Sequence, residues 1–333
     1  MRAKLSALSS SSRAAATLSR TTLAGATLAG AILAGGCPHI FSRRAPAVAQ
    51  TPQTTQIPQS PETPQTPETP NIIGQPGYSQ VYCSGFIRDS KLPNDSYLIS
   101  GEEASYKVAF DHGDYVYINQ GAEKGVKVGD RFTVVRPTVD PAKTEWFRGQ
   151  QKILSAMGTL YRDLGQLRVV SVHPKVAIAE VSFSCNYMQR GDIVRPYEDR
   201  AAPPLKEVAA FDHFAPVSGK PVGTIVSSID FMQSTGKGYT IYVNLGSAQG
   251  LKIGDYLRIF RHEGKIEQNV PVTKNYQYEL YGFGSAPTRY EWNDLPREVL
   301  GEGIVLNASR NAATVLVTYS STSIFTGDNV EIE

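Results

Sequence analysis

The chain has 333 residues, enough for two domains of ordinary size, and 41% of them are hydrophobic, which suffices for real cores. Its formal charge of +2 is set by the N-terminus: residues 1–49 hold Arg2, Lys4, Arg13, Arg20, Arg43 and Arg44 and no acidic residue. Without them 27 basic residues face 31 acidic ones, a net of −4, and that balance lacks the basic footprint that phosphate-backbone binding needs, which argues against nucleic acid as a partner.

The first element is a targeting segment, expected over residues 1–49. Basic residues precede the apolar run Leu23 to Gly36, and Ala47-Val48-Ala49 is a small-residue cleavage pattern before Gln50. The run is shorter than the roughly 20 residues a membrane-spanning helix demands, and it is rich in glycine. A competing processing route is lipidation at Cys37, because Ala34-Gly35-Gly36-Cys37 puts a cysteine directly after the apolar run, as bacterial lipoprotein signals do; Ala34, however, stands where leucine is usual. By either route the folded part lies outside the cytoplasm, in the periplasm, at the outer membrane or on the cell surface. Membrane contact is then expected only through the N-terminal segment or a lipid anchor.

Residues 50–78 read as a linker. Pro58, Pro61, Pro64, Pro67 and Pro70 recur every third residue, the period of polyproline II, in a stretch of Thr, Gln, Glu and Ser. Twenty such residues would extend about 60 Å as a semi-rigid spacer, or remain plain disordered chain. Neither form can join a core.

Beyond Tyr78 the texture is β-like. Runs such as Tyr115 to Ile118, Phe132 to Val135, Val176 to Phe183 and Ala312 to Tyr319 are bounded by Gly, Asn and Asp. Helical spacing is limited to short possibilities near Gln150 to Met157 and Leu205 to Ala210.

An internal repeat organises this region. Residues 113–136, GDYVYINQGAEKGVKVGDRFTVVR, align without a gap on residues 238–261, GYTIYVNLGSAQGLKIGDYLRIFR, with nine identities among 24 positions that include Tyr117/Tyr242, Asn119/Asn244, Gly121/Gly246 and Arg136/Arg261. A second pair, Gly165 to Val194 on Gly301 to Val330, carries Gly191-Asp192 onto Gly327-Asp328. The offsets are 125 and 136, so eleven extra residues enter the later copy between residues 262 and 300, where a loop absorbs them. The pairs Gly129-Asp130, Gly191-Asp192, Gly254-Asp255 and Gly327-Asp328 are read as structural turns, since glycine reaches positive φ freely and aspartate bonds a nearby amide. Five or six strands per copy suit a small closed barrel. The expected fold is all-β: two tandem barrel-like modules over residues 79–199, with an N-terminal extension, and 219–333, joined by a linker over 200–218.

The pattern VYINQGAEKGVKVGDRFTVVR, followed by GQLRVVSVHPKVAIAEVSFSCNYMQRGDIVRP and, in the second copy, LPREVLGEGIVLNASRNAATVLVTYSSTSIFTGDNVEI, resembles the C-terminal domain of the flagellar assembly protein T family. The resemblance covers roughly residues 104–333. It implies a small β-barrel domain in a periplasmic or outer-membrane-associated protein that acts in assembly or anchoring and not in catalysis.

Chemistry-bearing residues are sparse. After cleavage at Ala49 only Cys83 and Cys185 remain. An oxidising compartment favours their pairing, which would tie the segment Val81 to Phe86 onto the first copy and stabilise by up to about 4.7 kcal/mol in the chain-entropy model; two separate buried thiols are the alternative. His39, His112, His173, His213 and His262 show no metal spacing, and neither a Gly-x-Ser-x-Gly elbow nor a Walker-type loop occurs. No cofactor is expected. Tyr276, Tyr278, Tyr281, Tyr290 and Trp292 crowd the insert of the second copy, either as a partner-binding surface or as caps on an open barrel end. The expectation is a non-enzymatic envelope protein that engages another envelope protein or peptidoglycan, with a glycan-binding or hydrolytic protein as the alternative.

Overall fold

Glycine, asparagine and aspartate interrupt the chain often enough that nearly every apolar run between them becomes a strand. The computed structural model describes residues 72–207, 211–262, 279–280, 283–284 and 296–333. Strand β1 (Ile72–Gly74) and helix α1 (Tyr78–Tyr82) precede β2 (Phe86–Arg88), β3 (Leu98–Gly101), β4 (Tyr115–Ile118) and β5 (Arg131–Pro137). Helix α2 (Gln150–Met157) follows, then the long hairpin β6 (Thr159–Val172) and β7 (Ala177–Ser184), then β8 (Ile193–Pro196) and β9 (Leu205–Lys206). The second half contains β10 (Val222–Ser228), β11 (Ser234–Thr235), β12 (Thr240–Val243), β13 (Tyr256–His262), β14 (Glu279–Leu280), β15 (Phe283–Gly284), β16 (Arg297–Ala308), β17 (Ala313–Ser320), β18 (Ile324–Phe325) and β19 (Asn329–Ile332).

The second half is a closed barrel in the order β10-β12-β17-β16-β13-β19, with β10 and β19 completing the ring. The first half is a seven-stranded sheet, β3-β4-β7-β6-β5-β8, with β2 added to β6. Its ends meet as well. Leu98 donates to the Asp192 carbonyl at 2.9 Å, Gly191 to that of Leu98 at 2.8 Å and Val194 to that of Ser96 at 2.9 Å. The barrel repeats the first two bonds, from Ile225 to the Asp328 carbonyl and from Gly327 to that of Ile225, both at 2.8 Å. Closure leaves no long row of unpaired amides at the sheet ends.

Side-chain alternation fills each interior. Leu98, Val116, Ile118, Val134, Leu167 and Val181 form one core; Ile225, Ile241, Val243, Leu257, Val315 and Val330 form the other. The repeated identities have specific steric and hydrogen-bonding jobs. A Cβ on Gly121 would lie 2.3 Å from the His173 carbonyl oxygen, and one on Gly246 2.4 Å from that of Ser309, so only glycine lets the 3-10 turn cross the β6–β7 or β16–β17 connection this closely. Asn119 and Asn244 each accept a backbone amide from the neighbouring strand region, Tyr97 at 2.7 Å and Thr224 at 2.6 Å.

Helix α2 falls where the sequence suggested a short helix. Leu205 and Lys206, the other helical possibility, instead pair as a strand with β1, because Leu205 packs against Ile304, Leu306, Leu316 and Tyr256 on the outside of the barrel. Among the described residues the first strand, β1, lies inside the expected linker, and β9 lies inside the second one.

Candidate functional site

The two halves lie within one compact unit, Gln65–Glu333, and the junction between them concentrates the polar and aromatic groups that pure barrel closure does not require. β2, α2 and the start of β6 supply Ile87, Met157 and Leu160 in turn, which pack on Val226, Tyr242 and Ala312 from the outer face of the barrel, with Ile153, Leu154, Ile229 and Phe231 around them. The burial of the facing strands records this contact. In β4 only alternate residues are buried, whereas all four residues of the equivalent β12, Thr240–Val243, are buried. Fully burying each large aliphatic side chain contributes about 1.5–3 kcal/mol.

Hydrogen bonds fix the register of the junction. Tyr242 Oη donates to the Ser84 carbonyl at 2.9 Å and Thr314 Oγ1 to that of Gly85 at 3.2 Å. Gln150, the buried first residue of α2, accepts from Trp146 N at 2.7 Å and donates to the Val226 carbonyl at 2.8 Å. Arg162 Nη2 reaches the Ile229 carbonyl at 2.6 Å and Asp230 at 3.1 Å. Burial pushes the Tyr242 phenol far above its usual pKa, so it stays a donor.

The N-terminal extension is held to the first sheet by covalent and ionic ties. Cys83 and Cys185 form a disulfide with their Cα atoms 5.4 Å apart. Two residues on, Gly85 N donates to Asp163, which is buried and makes a bidentate pair with Arg200, both bonds 2.7 Å. Burial disfavours the Arg200 charge, but the Asp163 bonds outweigh it and its pKa is raised.

A groove of about 520 Å³ opens beside the junction. Trp146, Tyr187 and Phe231 give it flat apolar walls, while Arg136, Arg162, Asp140, Asp230 and Asn186 supply polar edges. The loop carrying Trp146 is ordered by Asp140, whose carboxylate accepts from Ala142 N at 2.8 Å and Thr144 N at 3.0 Å. Arg162 Nε is buried there without a hydrogen-bond partner among the described residues.

The four Gly-Asp turns divide into two kinds. All four glycines have positive φ, from 88° to 109°, and each aspartate accepts the amide three residues before it, at 2.6–2.8 Å. Asp130 and Asp255 serve as turn residues in this way. Asp192 and Asp328 also each bind an arginine bidentately: Arg136 at 2.7 and 2.8 Å, and Arg261 at 2.7 Å twice. These clamps tie β5 to the turn before β8 and β13 to the turn before β19. The Arg136/Arg261 identity in the repeat was their sequence signal, but no pattern assigned the partner.

Tyr276, Tyr278, Tyr281, Tyr290 and Trp292, and the lipidation candidate Cys37, lie outside the described residues. Sequence reasoning missed Trp146, Arg162 and Tyr187, which are unremarkable in sequence and are gathered by the junction. Among the described residues no cluster of three or more His, Cys, Asp or Glu side chains is placed to hold a metal ion, and no helix is long and apolar enough to cross a membrane. No protein-family model matches the chain, and no curated protein matches it in sequence.

Proposed function

We propose that this protein is a non-enzymatic component of the cell envelope, in which two β modules act as one rigid scaffold for assembly or anchoring on an envelope protein or on peptidoglycan. The observation that carries this reading is the junction: a dry apolar contact crossed by the Tyr242, Thr314, Gln150 and Arg162 hydrogen bonds, which suppresses the relative domain motion expected of a merely tethered pair. The Cys83–Cys185 disulfide is of the kind that persists in an oxidising compartment, in keeping with the N-terminal signal and with export to the periplasm or outer membrane. The resemblance to the flagellar assembly protein T family points the same way.

The groove favours a second reading, glycan binding. Aromatic walls stack on the apolar faces of sugar rings, and Arg162, Asp230 and Asn186 offer hydrogen bonds at its edge. Sedimentation of the purified chain with sacculi separates the two. Co-sedimentation that is lost in Trp146→Ala supports the glycan reading; capture of envelope proteins by in-cell crosslinking, with no sacculus binding, supports assembly. A chain that does neither refutes both.

A further inference from the structure

The repeat places the same row of outward side chains on both halves, but only one row is covered. On the barrel the row crosses β10, β12, β17 and β16 as Val226, Tyr242, Thr314 and Leu306, through the pairings Ser227↔Tyr242 and Tyr242↔Thr314. Val226 and Tyr242 are sealed under β2 and α2 of the first sheet. The equivalent row on the first sheet is Ile99, Tyr117, Ile178 and Val170, through Ser100↔Tyr117 and Tyr117↔Ile178. These side chains point away from their own core, and among the described residues no equivalent of β2 and α2 lies over them: Ile99 is 38% exposed and Val170 37%, with Tyr117 and Ile178 half-buried between them. Tyr115, beside them on β4, is 42% exposed.

The limits of the row are equally specific. Where the barrel has Ile304 and Leu316, packed with Leu205, the first sheet has Arg168, exposed, and Glu180, partly buried, paired at 2.7 Å. The apolar part thus stops where a charged pair begins; on the barrel, Val226 and Tyr242 lie under β2 and α2, and Leu306 lies beside Leu205.

The barrel also carries a counterpart of the β2 edge. β2 runs along the start of β6; the chain at residues 211–217 runs along the start of β16, with Val299 N donating to the His213 carbonyl at 2.7 Å. Ala215 packs there with Phe260 and Val299, while Phe214 and Val217 stand out, 66% and 71% exposed. Among the described residues the chain thus presents an exposed row on its first sheet and an exposed edge on its barrel.

We infer that the row Ile99, Tyr117, Ile178 and Val170 is a docking surface for a second copy of this chain, which seats its Phe214–Val217 edge there and so repeats between chains the β2 part of the contact already made within each chain. Row and edge are different surfaces, so the contact is head-to-tail and each added copy leaves a row and an edge free.

Light scattering on full chains over a wide concentration range tests it. The wild-type mass rises with concentration past that of a dimer. Ile178→Arg, which spoils the row, and Val217→Asp, which spoils the edge, are each monomeric with unchanged Tm. Ile99→Asp replaces Ile178→Arg if that variant melts early. Mixed one to one, the two variants form a dimer and go no further, because each retains the surface the other lacks. A wild-type chain that stays monomeric overturns the inference, even if another protein is captured on the row. So do variants that assemble like wild type, and a mixture that fails to pair.

Discussion

The repeat supplies an internal control for the junction, because Tyr117 and Tyr242 are the same residue at the same position of the two copies. Tyr242 is 1% exposed and its hydroxyl donates to the Ser84 carbonyl at 2.9 Å, whereas Tyr117 lies half-buried on the uncovered row. Tyr242→Phe deletes a buried hydrogen bond at a cost of about 1–3 kcal/mol. Tyr117→Phe changes a group in contact with water and stays within about 0.5 kcal/mol of wild type. Tyr242→Ala removes the ring as well, for about 3–5 kcal/mol, and opens the contact with Ile87, Met157 and Leu160. Urea unfolding followed by tryptophan fluorescence and far-UV circular dichroism measures these differences. The wild type and both phenylalanine variants unfold in one transition, and Tyr242→Ala separates the barrel from the first sheet into two. Equal costs for the two phenylalanine substitutions, or one unshifted transition for Tyr242→Ala, would refute the view that the junction couples the halves.

Three further outcomes follow from the geometry. Replacing Cys83 and Cys185 by Ala opens a loop of 102 residues and lowers stability by up to about 4.7 kcal/mol in the chain-entropy model, measured against oxidised wild type; a loss under about 1 kcal/mol would mean that the Asp163–Arg200 pair holds the extension alone. Asp192→Ala and Asp328→Ala each remove the bidentate partner of an arginine and the acceptor of a turn amide, and each costs about 3 kcal/mol by chemical unfolding; a neutral result at either position shows that clamp to be dispensable. Burial, and then the charge of Glu333, raise the Glu302 pKa above its usual 4.5. The folded state holds that proton more tightly than the unfolded chain, so the associated stability is present below 4.5 and is lost as pH rises through the higher folded value. Glu302→Gln removes this loss, so its Tm advantage over wild type grows between about pH 4 and about pH 7; an advantage that is flat or shrinks contradicts the assignment.

Much of the architecture was legible from local chemistry. Positive-φ glycines, turn aspartates and β-branched runs act within a few residues, so the repeat announced its strands and turns before any contact was known, and local spacing offered α2 as a short helix. Sequence offered the Cys83–Cys185 pair beside two separate thiols, and the structure shows the disulfide. Leu205 was misread as helical because its neighbours carry no strand signal: its partner β1 is more than 130 residues earlier in the chain, and the surface it covers belongs to the barrel.

The sequence by itself determined the all-β class, the internal repeat and the turn at each Gly-Asp, because those features depend on backbone freedom and side-chain alternation that every residue carries with it. Only the tertiary structure decided that Arg136 and Arg261 clamp Asp192 and Asp328, that Trp146, Arg162, Tyr187 and Phe231 share a groove, and that Tyr242 is covered while Tyr117 is not. Those relations join positions many tens of residues apart and depend on how one half packs against the other. Two copies nearly alike in pattern thereby acquire different surfaces: packing breaks a symmetry that local sequence preserves.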